Sequence, residues 1–253
     1  MEDSLRHLEV YCYLCGLGYE LELDEPVNSL AQHAALISAM NKELSHTPSR
    51  PEEMSAKLFS LCAQGAKACN LHQERDHLVS SIEGYMDDSD PTNIERVGHR
   101  SWCLSPWMKN TGLGEVKGYF GLHTGDRSRT IRGAVVDTIL FPNKGHFPIE
   151  YFGRRYAWSV SFPTGKYGTP KKSELDVRVW TLDDEFMKQK ELKLDYVAPR
   201  TKSDGVGAGV IFRPVIKESL KDLKVMVSIR FGPTGKNRVS IDYVVDLFSL
   251  AKS

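Results

Sequence analysis

From residue 116 onward the chain is a succession of short runs rich in β-branched and aromatic residues, each cut off by glycine or proline. The runs are Val116–His123, Thr130–Leu140, Tyr156–Phe162, Leu175–Leu182, Val206–Phe212, Val225–Phe231 and Val239–Phe248. Such residues fit a pleated, half-buried surface, and seven of these runs in series predict an antiparallel sheet or sandwich. The first third reads differently. Leu8–Leu23 (LEVYCYLCGLGYELEL) alternates over two short runs around Gly16 and Gly18, the pattern of a hairpin. Asp24–Leu44 then turns helical, with Pro26 in the first turn and Leu30, Ala34, Ile37 and Met40 at helical spacing. Pro48 and Pro51 interrupt it, Met54, Leu58, Leu61 and Cys62 mark a second helix, and Leu78–Met86 a third, weaker one. DDSDPTN, residues 87–93, is a polar turn and the boundary this reading sets between residues 1–90 and 91–253. The fold class expected is α+β, with N-terminal helices packed on an antiparallel sheet or sandwich built from the C-terminal two-thirds.

Charge changes at the same boundary. Residues 1–90 hold 6 Lys and Arg against 16 Asp and Glu, a net of −10, and the remaining 163 hold 27 against 17, a net of +10. A basic part joined to an acidic part can meet an anionic surface on one side and a copy of itself on the other.

Two stretches share Thr-Gly-Lys: SVSFPTGKYGTP, from Ser159, and SIRFGPTGKNRVSIDY, from Ser228. A nucleotide-binding P-loop needs an earlier glycine and a Ser or Thr after the lysine, because glycine amides cradle the phosphates and the hydroxyl ligates magnesium. Neither stretch has that glycine, and Lys166 is followed by Tyr167 and Lys236 by Asn237. Both are read as hairpin turns with glycine at positive φ. Their lysines, with Lys144, Arg154, Arg155, Lys171, Lys172 and Arg238, form a cationic rim if the turn tips share one end of the sheet. Singly, each is an ordinary solvated turn residue. Trp102 and Trp107, in Ser101-Trp-Cys-Leu-Ser-Pro-Trp107, are candidates for insertion into a membrane, with core packing as the alternative.

Other chemistry is thinly supported. Cys12-Tyr-Leu-Cys15 is a CxxC, but Cys62, Cys69 and His72 do not supply the second pair that zinc commonly takes. On a regular strand Cys12 and Cys15 point to opposite faces, so half-buried cysteines are expected, with no metal and no cofactor. Five cysteines suggest no disulfide framework and fit a reducing compartment. The N-terminus MEDSLRHLEV lacks the features of a secretory signal, and no run of 18 apolar residues occurs. The carboxylates of WTLDDEF, from Trp180, suit magnesium or a solvated turn; His99, His123 and His146 are scattered, and no catalytic residue is assigned.

The order of hairpin, short helix (Pro26–Met40), apolar helix (Met54–Cys69) and antiparallel sheet resembles the matrix proteins of rhabdoviruses. SELDVRVWTLDDEF resembles that family's strand ending in an acidic turn, and VSIRFGPTGKNRVSIDYVVDLFSL its closing C-terminal hairpin. The chain departs from the animal members in having no lysine-rich arm and no Pro-Pro-x-Tyr budding motif, which puts that budding route in doubt. Its length and the missing motif sit better with the plant-infecting branch, whose members assemble at nuclear membranes. The resemblance implies a non-enzymatic virion protein at the inner face of the envelope. Such a protein self-associates, bridges nucleocapsid to anionic membrane during budding, and is found peripherally at membranes of the host nucleus or cytoplasm. Two other readings stay open: an RNA-binding movement or silencing-suppressor protein of a plant virus, using the same basic face on phosphates, and a small hydrolase on a sheet scaffold.

Overall fold

The computed structural model describes residues 1–17, 20–74, 77–130, 137–200, 206–232 and 238–250. They fall into two compact units, each made of separated stretches of chain. The first comprises Met1–Tyr13, Gly18–Met86 and Trp102–Val135, and the second Leu14–Leu17, Asp87–Ser101 and Val136–Ser253. The units are therefore not the segments 1–90 and 91–253. Recounted by unit, the first holds 11 basic and 15 acidic residues and the second 22 and 18, so the charge imbalance shrinks from ten to four.

The first unit is built around one helix. Its elements are α1 (Glu2–Leu14), β1 (Glu22–Leu23), α2 (Glu25–Asn41), α3 (Ala56–Ala68), β2 (Cys69–Gln73), α4 (Leu78–Asp87), α5 (Gly98–Cys103), β3 (Asn110–Val116) and β4 (Tyr119–His123), α1, α4 and α5 running past its limits. The Asp24 side chain accepts from the Val27 amide and starts α2, and Lys42 in the left-handed region ends it. The sheet order is β1-β3-β4-β2, with β1 parallel to β3 and the other pairs antiparallel. Helix α2 lies on this sheet almost backbone to backbone. A Cβ on Gly112 would stand 2.4 Å from the Val27 carbonyl carbon, and one on Gly114 would stand 2.3 Å from that of Ala31. Only glycine permits so close an approach. Because β1 covers only the start of β3, α2 also closes the rest of that edge. The Leu113 amide donates to Asn28 Oδ1 at 3.0 Å, and Gln32 exchanges two bonds with the Glu115 main chain, at 2.9 and 3.1 Å.

The second unit is a sandwich. Its strands are β5 (Ile139–Phe141), β6 (Gly145–Pro148), β7 (Trp158–Phe162), β8 (Asp176–Leu182), β9 (Lys188–Glu191), β10 (Leu194–Arg200), β11 (Ala208–Pro214), β12 (Leu223–Phe231) and β13 (Val239–Phe248), with a one-turn helix α6 (Thr164–Tyr167). One sheet runs β10-β11-β7-β5, all antiparallel; the other runs β6-β13-β12-β8-β9, antiparallel except for β6 against β13. Burial alternates strictly along β12, as for a sheet with one face on a core. Phe162 of β7 stacks on Phe231 of β12 with ring centroids 5.2 Å apart, joining the two sheets. Strand β7 is buried on both faces. Its Ser159 and Ser161 face two buried arginines: Arg100 donates to Ala157 O at 2.6 Å and Ser159 Oγ at 3.2 Å, and Arg200 to Ser161 Oγ at 2.8 Å. Arg100 also lies 4.3 Å over the Phe141 ring and donates to the Asp87 carbonyl. It thereby ties residues 87–101 to the sheet.

The α+β class and the helices over 25–41, 56–68 and 78–87 agree with expectation. The N-terminal hairpin does not: residues 8–14 are helical, because Ser4, Leu8, Tyr11 and Cys12 recur at helical spacing and are all buried. The first Thr-Gly-Lys stretch is also not a hairpin tip. Residues 164–167 form α6, through which the chain leaves β7 for the other sheet. The second stretch does join a hairpin, since β12 and β13 pair from Leu223↔Leu247 to Phe231↔Val239, while the Thr-Gly-Lys itself lies outside the described residues.

Candidate functional site

One end of the sandwich collects cations from three chain segments. Strand β8 begins there, β12 ends there, and β13 begins there just after Arg238, whose Nη2 lies 3.8 Å from Asp176. Lys171 and Lys172 open the 3-10 turn Lys172–Glu174 that leads into β8, and Lys171 Nζ lies 3.6 Å from Glu174. Lys166 arrives at the same end because β7 finishes at Phe162, stacked on Phe231, and α6 follows at once. Its Nζ donates to Asp137 at 2.7 Å, a bond that raises the lysine pKa, and sits 5.2 Å from the Tyr167 ring. Lys236 lies outside the described residues.

The remaining expected cations are elsewhere. Arg154 and Arg155 precede β7, at the end opposite to α6. Arg154 donates to the carbonyls of Ile216, at 3.2 Å, and Glu218, and so holds a loop. Arg155 lines a groove of about 550 Å³ with Asp90, Tyr196 and Arg213. Lys144 is exposed before β6, which pairs with β13 only from Val245 onward. At about 3.3 Å per residue that is roughly 20 Å along the strand from its start. The rim expected from eight residues thus reduces, among the described ones, to Lys166, Lys171, Lys172 and Arg238.

Trp102 and Trp107 belong to the first unit and do not form an exposed apolar loop. Both rings are half-buried, each with the Arg127 guanidinium 5.8 Å from its centroid, and Cys103 and Leu104 between them are buried. The exposed apolar tip is instead Phe186-Met187, 54% and 64% accessible, where β8 turns into β9. Phe186 adopts φ 61, a conformation rare for a bulky side chain. The acidic turn in front of it is occupied by structural work. Asp183 accepts from the Glu185 and Met187 amides and from Gln189, and Asp184 pairs with Lys224 at 2.6 Å. WTLDDEF itself ends in Phe186, but neither its acidity nor its spacing shows that Phe186 and Met187 are exposed.

The five cysteines are free and buried, and burial pushes the Cys12 and Cys69 thiols up to about 12. Among the described residues no three His, Cys, Asp or Glu side chains converge as a metal site, and no helix is long and apolar enough to cross a membrane. His99 Nδ1 pairs with the buried Asp88 carboxylate at 2.8 Å, and the Arg100 amide donates to the same carboxylate, which fastens residues 88–100. No family model, curated protein or solved structure matches the chain.

Proposed function

We propose that this chain is a structural assembly protein that meets an anionic surface with the Lys166–Arg238 end of its second unit, the role the matrix-protein resemblance implies. The observation that carries the reading is the convergence of Lys166, Lys171, Lys172 and Arg238 from three chain segments. Their acidic partners do not argue against it. Lys166 and Asp137 are 53% and 64% exposed, and exposed pairs contribute about 1 kcal/mol or less, so phosphates can replace the carboxylates at little cost. Each lysine or arginine held near anionic lipid contributes about 1 kcal/mol. Self-association, nucleocapsid binding and an envelope location belong to the same proposal.

Flotation with vesicles containing or lacking phosphatidylserine, together with gel shifts on single-stranded RNA at two salt concentrations, tests it. Binding to the anionic vesicles alone, weakened by salt and lost in the Lys166→Glu, Arg238→Glu double variant, is expected. Equal binding to neutral vesicles, or none, contradicts it. Tight RNA binding without vesicle binding would favour the nucleic-acid reading instead.

A further inference from the structure

The Lys166–Arg238 end carries little excess charge. Asp137, Glu174 and Asp176 stand 2.7, 3.6 and 3.8 Å from Lys166, Lys171 and Arg238, so four positive charges meet three negative ones, a net of +1 among the described residues. So small an excess is reversed by a single added anionic group. Ser173 lies in its midst. It directly follows Lys171-Lys172, is exposed as both lysines are, and occupies the 3-10 turn Lys172–Glu174. Only two main-chain bonds close that turn, from the Glu174 and Leu175 amides at 3.0 and 3.4 Å, and the Ser173 hydroxyl has no partner among the described residues. The sequence sets the same serine apart. Glu174 and Asp176 stand one and three places after it, and no other serine or threonine in the chain has acidic residues at both positions. Their side chains are 33% and 52% exposed, within reach of an enzyme that reads charge around the hydroxyl it modifies. Thr181, followed by Leu182-Asp183-Asp184, comes nearest to this pattern, but its Oγ1 is bonded to the Lys190 main chain within the sheet.

We propose that Ser173 is a phosphorylation site for a protein kinase that selects acidic substrates, and that its phosphate discharges the end that meets the anionic surface. The second half rests on the anionic-surface reading; the first does not. In the transfer, Ser173 Oγ attacks the γ-phosphorus of magnesium ATP. The serine O–P bond forms, the bond from that phosphorus to the β,γ-bridging oxygen breaks, ADP leaves, and the hydroxyl proton passes to the kinase's catalytic carboxylate. Phosphoserine carries about −1.5 to −2 charge at neutral pH, which turns the net +1 of this end negative. Its oxygens also accept charge-assisted hydrogen bonds, so the neighbouring Lys171, Lys172 and Arg238 are drawn to it and away from an external phosphate. Basic segments held at anionic membranes are released by phosphorylation in this way.

Incubation of the full chain with magnesium ATP and an acidophilic serine/threonine kinase, followed by mass-spectrometric mapping of the phosphate, tests the first half. Ser173 should be the principal acceptor, and Ser173→Ala should abolish that modification. Flotation with phosphatidylserine vesicles tests the second half. Phosphorylation should weaken binding about thirtyfold, as cancelling two charges near anionic lipid does, and Ser173→Glu about fivefold. Ser173→Ala should bind like the unmodified chain and be indifferent to the kinase. Titration of the phosphorylated chain by phosphorus NMR reads the local contact without vesicles: Arg238→Gln, remote in sequence, should raise the pH at which the phosphate takes up its second proton. Modification confined to other residues, or equal vesicle binding before and after phosphorylation, overturns the proposal. If the unmodified chain binds no vesicles, the anionic-surface reading falls by itself, and the titration decides whether the phosphate engages this end; a midpoint unmoved by Arg238→Gln then overturns the proposal as well.

Discussion

The two units solve the same packing problem with opposite materials. In the first, α2 presents Ala31, Ala34 and Ala35 to strands carrying Gly112 and Gly114, and close contact comes from side chains that are missing. In the second, Trp158, Phe162, Phe212 and Phe231 fill the space between strands with rings that stack or cross at 5.2 to 5.9 Å. Dispersion and excluded water stabilise both, yet they fail in opposite directions: one tolerates no added carbon, the other no removed ring.

The largest effect should come from emptying the aromatic core. Phe162→Ala removes a ring stacked across both sheets and should cost about 3–5 kcal/mol. In chemical denaturation, hydrogen-exchange protection should fall over residues 137–200 and 206–232 first; uniform loss over both units would blur the contrast. Next comes the reverse change, Gly114→Ala, whose Cβ meets the backbone of α2 at 2.3 Å and should cost about 3 kcal/mol, the upper part of the range for overpacking. Gly165→Ala, with nothing within 4 Å, is the control and should be neutral or slightly stabilising.

A smaller difference should appear on acidification. Burial lowers the pKa of His7 and of His123, both in the first unit. The unfolded chain takes up these protons first, so their support is complete above pH about 6.5 and is lost as pH falls through the depressed folded values. Hydrogen exchange at pH 7.5 and 5.5 should show the first unit loosening while the second holds; parallel loosening would remove the distinction. Smallest of all is Tyr243→Phe. That hydroxyl is buried with no hydrogen-bond partner among the described residues, so its removal should change stability by about 1 kcal/mol or less, and not unfavourably. A larger loss would mean that the hydroxyl is bonded.

Local signals carried α2 and α3, whose start residues Asp24 and Ser55 cap them, and β12 and β13, whose alternation is strict. Segment 8–14 went astray because LEVYCYL satisfies a period of two as well as one of 3.6, and only burial of Ser4, Leu8 and Tyr11 decides between them. Strands β9 and β10 escaped notice because lysine in one and proline in the other argue against a central strand, although both suit an edge. For the candidate site, the cations were legible but their partners were not: Asp137 stands 29 residues from Lys166, and Asp176 meets Arg238 across the intervening strand β12. The split of the rim between two ends of the sandwich follows from strand direction, which composition does not encode.

The central claim is that one end of the second unit, and not its basic residues at large, meets the anionic surface. Vesicle flotation of two double variants tests it most directly: Lys166→Glu with Arg238→Glu, and Arg154→Glu with Arg155→Glu, which change charge equally at opposite ends. The account predicts loss of binding to phosphatidylserine vesicles in the first pair and near-normal binding in the second. Equal losses in the two pairs, or a loss confined to the second, would contradict it.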